Sequence, residues 1–177
     1  PSAVGFFLWG NMVHAQGRPD LALTAYRKAV ELDAEYARAW INMGAMLHGT
    51  GDLDGAIAAT ERGVALPDGR MAASFAHLAA MLHYRGGGGF SEDNQKALEY
   101  LRRAVEIDAG FMAAWANMAG VMSALGMHDG AAEAARHTVE LDGGHADVHS
   151  TYGFYLAAAG RFNDAAVQFR EALAIDP

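Results

Sequence analysis

Apolar and small side chains recur along this chain with the spacing of one face of a helix. Five segments with the same pattern begin at Ala3, Ala37, Ala72, Met112 and Ala146, so successive copies start 34, 35, 40 and 34 residues apart. In each copy the fourth, seventh and eleventh residues are apolar, with His149 as the exception at the fourth place. This spacing puts one stripe on one side of a helix. The pattern therefore predicts five copies of a helical unit, each opening with a helix that we call the A helix.

Small residues mark two further places in every copy. The eighth residue is glycine or alanine, namely Gly10, Gly44, Ala79, Ala119 and Gly153. A glycine that we expect to end the A helix follows later, at Gly17, Gly51, Gly86, Gly126 and Gly160. Glycine takes the left-handed conformation of a helix end without steric cost. Short side chains inside the helix let a second helix approach closely.

The second half of each copy predicts a further helix, the B helix. Residues that commonly cap a helix N-terminus are expected to begin it at Asp20, Asp54, Asp129 and Asn163. One hairpin of an A and a B helix leaves an apolar side uncovered, and stacking against a neighbouring hairpin buries it. The pattern therefore favours a row of stacked hairpins, in which Trp40 and Trp115 occupy equivalent buried sites.

The repeats resemble the tetratricopeptide-repeat family. The resemblance is carried by the motifs AWINMG, DGAIAATERGVAL and DAAVQFREALAIDP, and the proline that closes the family's repeat is matched by Pro177. It implies an all-α fold, a right-handed superhelical solenoid of five antiparallel helix hairpins. It also implies a single solenoid domain over residues 1–177, in which the third repeat carries an inserted loop at 86–94. The repeats span about 3–36, 37–71, 72–111, 112–145 and 146–177.

In this family the A helices line a concave groove that receives a protein or peptide ligand, so the resemblance implies a protein–protein interaction scaffold. The side chains expected to line the groove are Phe7, Asn11, His14, Tyr36, Arg38, Ile41, Asn42, His48, His83, Tyr84, Phe111, Asn117 and Phe154. The three histidines in this set share one repeat position, so imidazoles are expected to stand along the groove. Two alternatives stay open: a substrate-recruiting arm of a larger enzyme, for example a glycosyltransferase, and a scaffold that forms a homo-oligomer through its terminal repeats.

The composition is that of a globular chain, and it narrows the choice of partners. Hydrophobic residues make up 52% of the chain and charged residues 19%. The formal net charge of −8 repels a phosphate backbone, so we expect no nucleic acid as a partner. No apolar run reaches the roughly 20 residues that cross a bilayer, so we expect no membrane insertion.

The chain contains no cysteine, which removes any disulfide or thiolate zinc site. Its absence does not distinguish the cytoplasm, which we expect, from the periplasm. The chain opens at Pro1 without an initiator methionine and closes at Pro177, so we expect it to be a piece of a longer polypeptide.

Two short motifs invite a chemical interpretation, and neither carries it. The run Gly86–Gly89 is followed by Phe90 with no Lys-Ser or Lys-Thr pair, which argues against a phosphate loop. A surface insertion with Ser91 as the next helix cap, or a partner-contacting loop with Phe90 at its tip, are the two interpretations that remain. The motif HADVH places His145 and His149 four residues apart but lacks the glutamate of a zinc protease. With no cysteine nucleophile and no Gly-x-Ser-x-Gly motif, we expect no enzyme activity, no cofactor and no metal site.

Overall fold

Ten α-helices make up most of residues 1–176, the part of the chain that this computed structural model describes. They are α1 (Ala3–Ala15), α2 (Pro19–Leu32), α3 (Ala37–Gly49), α4 (Leu53–Ala65), α5 (Ala72–Gly86), α6 (Glu92–Ile107), α7 (Met112–Ala124), α8 (His128–Leu141), α9 (Ala146–Ala158) and α10 (Phe162–Ile175). A short 3-10 turn, Pro67–Gly69, precedes α5. The odd-numbered helices are the predicted A helices and the even-numbered ones the B helices. Residues 1–176 contain no strand, so the all-α prediction is confirmed. Pro177, matched above to the family's proline, lies outside the described residues.

The chain divides by its internal contacts into two compact units, Pro1–Met81 and a second unit that begins at Leu82. In the first unit α1 packs against α2, α3 packs against α4, and α2 also packs against α3. In the second unit α7 packs against α8 and α9 against α10, while α6 contacts α7 and α8 contacts α9. Each unit is therefore built from hairpins that pack on their sequence neighbours. The single domain over residues 1–177 stays a prediction. Among the described helices, none is long and apolar enough to cross a bilayer.

The small eighth residue of a repeat makes room for a larger side chain on the B helix of the same hairpin. A Cβ placed on Gly10 would lie 2.6 Å from Cε1 of Tyr26, a ring that is only 1% exposed. Gly44 faces Thr60 in the same way, and a Cβ there would overlap the Thr60 hydroxyl. Close approach of the two helices thus depends on a missing methyl group on one side.

In four of the five repeats the glycine predicted at the end of the A helix takes the left-handed conformation, and in the third repeat the next glycine takes it. The glycines at positions 17, 51, 126 and 160 have φ of 72°, 86°, 75° and 76°. In the third repeat α5 continues through Gly86, and the left-handed residue is Gly87, with φ of 68°. The helix thus ends at the predicted Gly86, and only the left-handed conformation is moved to the following glycine.

Four of the five B helices begin earlier than predicted. Each residue predicted as their N-cap stands second inside the helix: Asp20 in α2, Asp54 in α4, Asp129 in α8 and Asn163 in α10. In α4 the cap is Asp52, whose carboxylate accepts from the backbone N–H of Gly55 at 2.9 Å. An acidic residue one position into the helix still stabilises it through the helix dipole. The prediction for Ser91 is confirmed, because its hydroxyl accepts from the backbone N–H of Asn94 at 3.1 Å.

The two tryptophans at the fourth repeat place make the same hydrogen bond. Trp40 donates its indole N–H to the carbonyl of Ala34 at 2.9 Å, and Trp115 donates to Ala109 at 2.9 Å. In both cases the acceptor lies six residues earlier in the chain, so the predicted equivalence is confirmed. Both rings are half-buried rather than buried, which corrects the prediction of buried sites.

One face of each indole is covered by a cationic or aromatic residue from the B helix. The guanidinium of Arg62 lies 5.5 Å from the ring centroid of Trp40. The imidazole of His137 stacks on Trp115 with centroids 4.1 Å apart. A flat polar group covers the ring while leaving its edge open to solvent, and this explains the intermediate burial.

His149 takes the place of the tryptophan in the fifth repeat and keeps its contact. Its Nε2 lies 3.1 Å from the carbonyl oxygen of Gly143, again six residues earlier. Its Nδ1 lies 2.8 Å from Oε1 of Gln168 on α10. The one polar exception in the apolar stripe therefore preserves the hydrogen bond rather than the ring size.

Candidate peptide-binding surface

A hydrogen-bond network joins the first three helices of the first unit. The hydroxyl of Tyr26 on α2 donates to Oδ1 of Asn11 on α1 at 2.8 Å. The side-chain amide of Asn42 on α3 donates to the same oxygen at 3.0 Å. Burial raises the pKa of Tyr26, and the hydrogen bond from Asn42 offsets part of that rise. Two predicted groove residues, Asn11 and Asn42, are thus brought together and fixed in orientation.

An open pocket of about 250 Å³ lies beside this network. Its lining residues come from α1, α2 and α3: Asn11, His14, Tyr26, Asn42, Ala45 and Met46. His14 is exposed at its rim. The pocket therefore offers amide, phenol and imidazole groups to a ligand, with alanine and methionine as its apolar wall.

The predicted aromatic groove residues of the first repeats pack against each other instead of standing free. Phe7 is 9% exposed, and its ring lies 5.0 Å from that of Tyr36 and 6.0 Å from that of Tyr26. Phe7 belongs to the core because Tyr36, the residue before α3, covers it. Ile41 is half-buried, and it packs close to Gly63 of its own hairpin, where a Cβ would meet its Cγ1 at 2.6 Å.

His48 on α3 forms a pair with His77 on α5. The nearest nitrogens, Nδ1 of His48 and Nε2 of His77, are 3.5 Å apart, and the ring centroids are 5.5 Å apart. Burial lowers the pKa of His77, and the neighbouring His48 lowers it further. The sequence predicted that His48 would share a groove with His14 and His83; its observed partner is a residue outside that set.

In the second unit, Asn94 fixes the orientation of His83. The Asn94 side-chain amide donates to the carbonyls of Gly87 at 3.0 Å and Gly89 at 2.6 Å. Its Oδ1 is then the acceptor for Nδ1 of His83 at 2.7 Å. Asn94 is fully buried. The glycine insertion therefore holds a buried amide that leaves Nε2 of His83 free to accept.

The free end of His83 points towards a gap on α7. A Cβ placed on Gly120 would lie 3.8 Å from Nε2 of His83 and 3.8 Å from the hydroxyl of Tyr155 on α9. Burial raises the pKa of Tyr155, so its hydroxyl stays protonated and able to donate. An acceptor and a donor thus flank a position where the chain carries no side chain.

The other predicted groove residues lie at or near the surface. Arg38, Tyr84 and Phe154 are exposed, and Tyr84 is 77% exposed at the C-terminal end of α5. Phe111, the residue before α7, and Asn117 within α7 are half-buried. Their contact with a ligand stays a prediction.

Sequence reasoning missed four residues that shape these sites: Tyr26, His77, Asn94 and Tyr155. One signal was available, because His77 stands sixth in its repeat, where Asn42 stands in the second. Nothing in the sequence singles out Asn94, since its role depends on the path of a loop seven residues away.

The HADVH motif is engaged in local contacts. His145 lies 3.4 Å from a carboxylate oxygen of Asp142, and both ring nitrogens of His149 contact oxygens. Residues 1–176 contain no group of three or more histidine, aspartate or glutamate side chains arranged around one possible ion.

Sequence comparisons relate parts of the chain to repeat-containing proteins. A family model described as "TPR repeat" matches residues 10–51. The chain is 40% identical over 67 residues to the protein O-mannosyl-transferase TMTC1 of Homo sapiens, a match that covers 37% of this chain and 8% of that protein. It is 25% identical over 87 residues to the small glutamine-rich tetratricopeptide repeat-containing protein 2 of Mycosarcoma maydis, covering 49% of this chain and 25% of that protein. The chain therefore corresponds to a small part of these relatives.

Solved structures share the fold over nearly the whole chain. YrrB, described as a TPR protein with an unusual peptide-binding site, superimposes with a TM-score of 0.85 at 25% identity over 99% of this chain and 87% of its own. MamA superimposes with a TM-score of 0.86 at 21% identity over 98% of this chain and 91% of its own. MamA of Desulfovibrio magneticus gives 0.84 at 17% identity, covering 98% and 94%. At these identities the MamA structures bear on the fold alone.

Proposed function

We propose that this chain is a tetratricopeptide-repeat protein that binds a peptide or protein segment on the surface formed by its A helices. The observation that carries this proposal is the open pocket between α1 and α3, whose walls combine oriented amides with an apolar side. A scaffold of this kind presents a fixed surface to a partner and needs no chemistry of its own.

The groups at the pocket suit the polar backbone of a peptide. Tyr26 and Asn42 both donate to Oδ1 of Asn11, so the orientation of the two asparagines is set before a ligand arrives. A preorganised hydrogen-bonding surface loses less entropy on binding than a mobile one. His14 at the rim adds an imidazole that serves as donor or acceptor.

The second unit also offers a ligand two hydrogen-bonding groups, one acceptor and one donor. Nε2 of His83 accepts, and the hydroxyl of Tyr155 donates, on either side of Gly120. An amide group presents a donor and an acceptor together, so it satisfies both atoms at once. The missing side chain at Gly120 gives a ligand backbone room to approach.

The peptide-binding site stated for YrrB supports the proposal, because that structure matches nearly all of this chain.

The test uses a random dodecapeptide library displayed on phage and selected on the full chain. Arg38 and Arg27 form a matched pair of exposed arginines, one on the A helix α3 and the other on the B helix α2. We expect selected peptides to bind Arg38→Ala and His14→Ala at least about tenfold more weakly than the wild type, which is about 1.4 kcal/mol. Arg27→Ala should bind them unchanged.

Two outcomes contradict the proposal. One is the absence of any enriched sequence after selection. The other is a loss of affinity in Arg27→Ala as large as that in Arg38→Ala, which would move the binding surface to the B helices.

A second candidate is a substrate-recruiting arm of a larger enzyme. The 40% identity to a protein O-mannosyl-transferase over 67 residues favours it, although the match covers only 8% of that protein. The reading frame that encodes these residues decides: a transferase domain in the same frame supports the arm, and repeats alone exclude it. Both candidates use the A-helix surface as the receptor.

A further inference from the structure

His48 and His77 lie beside each other on the A helices of successive repeats. His48 is exposed on α3, and His77 is half-buried on α5. Their nearest nitrogens are 3.5 Å apart, a distance at which a hydrogen bond between the rings is weak. The contact brings two potential metal ligands together, and the contact itself adds little to the stability of the fold.

We propose that His48 and His77 together bind one divalent transition-metal ion of the kind that prefers imidazole nitrogen, such as Zn²⁺. With Zn–N bonds of about 2.0–2.1 Å, two nitrogens at this separation subtend about 115° at a shared ion, close to tetrahedral. Two imidazoles on such an ion have centroids about 5.4 Å apart, and the rings here are 5.5 Å apart. Both distances fit one ion between the rings.

The pairing is specific to this junction in the first unit. His14 stands at the same repeat position as His48, but its neighbour at the place of His77 is Asn42, and both line one pocket. A neutral amide is a far poorer ligand for such an ion than imidazole. The junction between the second and third repeats is therefore the one place in this unit where two imidazoles face each other.

Only two protein ligands are present, so the remaining positions fall to water or to a ligand side chain. No third histidine, aspartate or glutamate within residues 1–176 joins them. The site therefore differs from a closed structural zinc site, which has four protein ligands. Because the ligands come from α3 and α5, an ion held there would link the second repeat to the third.

The experiment is equilibrium dialysis of the full chain, first freed of metal with a chelator, against Zn²⁺ alone. We expect saturable zinc in the wild type, and loss of that zinc in both His48→Ala and His77→Asn. His77→Asn installs the residue that Asn42 provides at this place in the preceding repeat, so it keeps the fold. His14→Ala is the matched control and should retain the zinc.

A second measurement separates this site from the other histidines. Zinc should raise the melting temperature of the wild type and of His14→Ala, and leave that of His77→Asn unchanged, because binding to the native state stabilises it. Zinc retained in His77→Asn, or lost in His14→Ala, would overturn the assignment. No zinc bound by the wild type would overturn it as well.

Discussion

Replacing Gly10 by alanine tests the packing of the first hairpin, because the added methyl group has no room. Its Cβ would lie 2.6 Å from Cε1 of Tyr26. The ring cannot move aside, since it is 1% exposed and its hydroxyl is bonded to Asn11 at 2.8 Å. The helix must therefore shift or the Tyr26–Asn11 bond must break.

The magnitude follows from three opposing contributions. Alanine is favoured over glycine inside a helix by about 0.5–1 kcal/mol. Overpacking a tight core costs about 1–3 kcal/mol, and weakening the Tyr26 hydrogen bond adds about 1 kcal/mol. We therefore expect Gly10→Ala to lower the free energy of unfolding by about 1–3 kcal/mol.

Gly153→Ala is the matched control at the same place of the fifth repeat. Its Cβ would lie 2.8 Å from Cε1 of Phe169, a ring that is 40% exposed and free to rotate outwards. The helix-propensity gain then remains, so the variant should be as stable as the wild type or up to about 1 kcal/mol more stable.

The assay is urea unfolding followed by far-UV circular dichroism, with the free energy taken from the midpoint and slope. Gly10→Ala should unfold at lower urea than the wild type, and Gly153→Ala should not. Equal stability of the wild type and Gly10→Ala would refute the packing argument. So would an equal loss in both variants, since the burial of the facing ring would then have no influence.

Two further predictions concern local hydrogen bonds and charge. Trp40→Phe keeps an aromatic ring but loses the indole N–H, so it should lower the free energy of unfolding by about 0.5–1.5 kcal/mol. Trp115→Phe should lower it by the same amount, because the two indoles share their acceptor geometry. A loss of stability in only one of the two variants, measured by urea unfolding, would contradict the equivalence. Hydrogen bonds from Arg85 lower the pKa of Asp93, so the stabilisation is present above the ordinary aspartate pKa and is lost as pH falls through the lowered value. The urea midpoint should therefore drop less in Asp93→Asn than in the wild type between about pH 5 and pH 3, and parallel pH profiles would contradict this.

The register of the repeats could be predicted because the same residue types recur at fixed intervals along the chain. Trp40 and Trp115 stand at the same place, and the structure gives them the same acceptor. His149 breaks the apolar pattern yet makes the equivalent contact. Periodicity thus fixes where a residue lies in a repeat, and a polar substitute that bonds the same carbonyl is tolerated there.

Contacts across the repeats were harder to predict, because they depend on which two side chains meet. Phe7 was assigned to the groove from its rotation on the helix, but Tyr36, at the start of α3, covers it. His48 was grouped with histidines of its own repeat position, while the ring it meets stands at a different position of the following repeat. Rotation about one helix cannot reveal which neighbour closes over a residue.

The glycine insertion illustrates a second limit. Residues 86–89 are all glycine, so the sequence predicts a surface loop there. The structure shows the loop carbonyls holding the buried amide of Asn94, which in turn orients His83. A backbone carbonyl has no sequence signal, so this chain of contacts could not be inferred from residue types.

The central claim is that a peptide is received by the A-helix surface, and the side-chain amides of Asn11 and Asn42 report on it most directly. The measurement is a heteronuclear NMR titration of the nitrogen-15-labelled chain with a library-selected peptide. We predict that both side-chain amide signals and the backbone signal of Arg38 on α3 shift with the bound fraction, while the backbone signals of Arg27 and Lys28 on α2 stay in place. Shifts confined to α2, with the two asparagine signals unmoved, would contradict the claim.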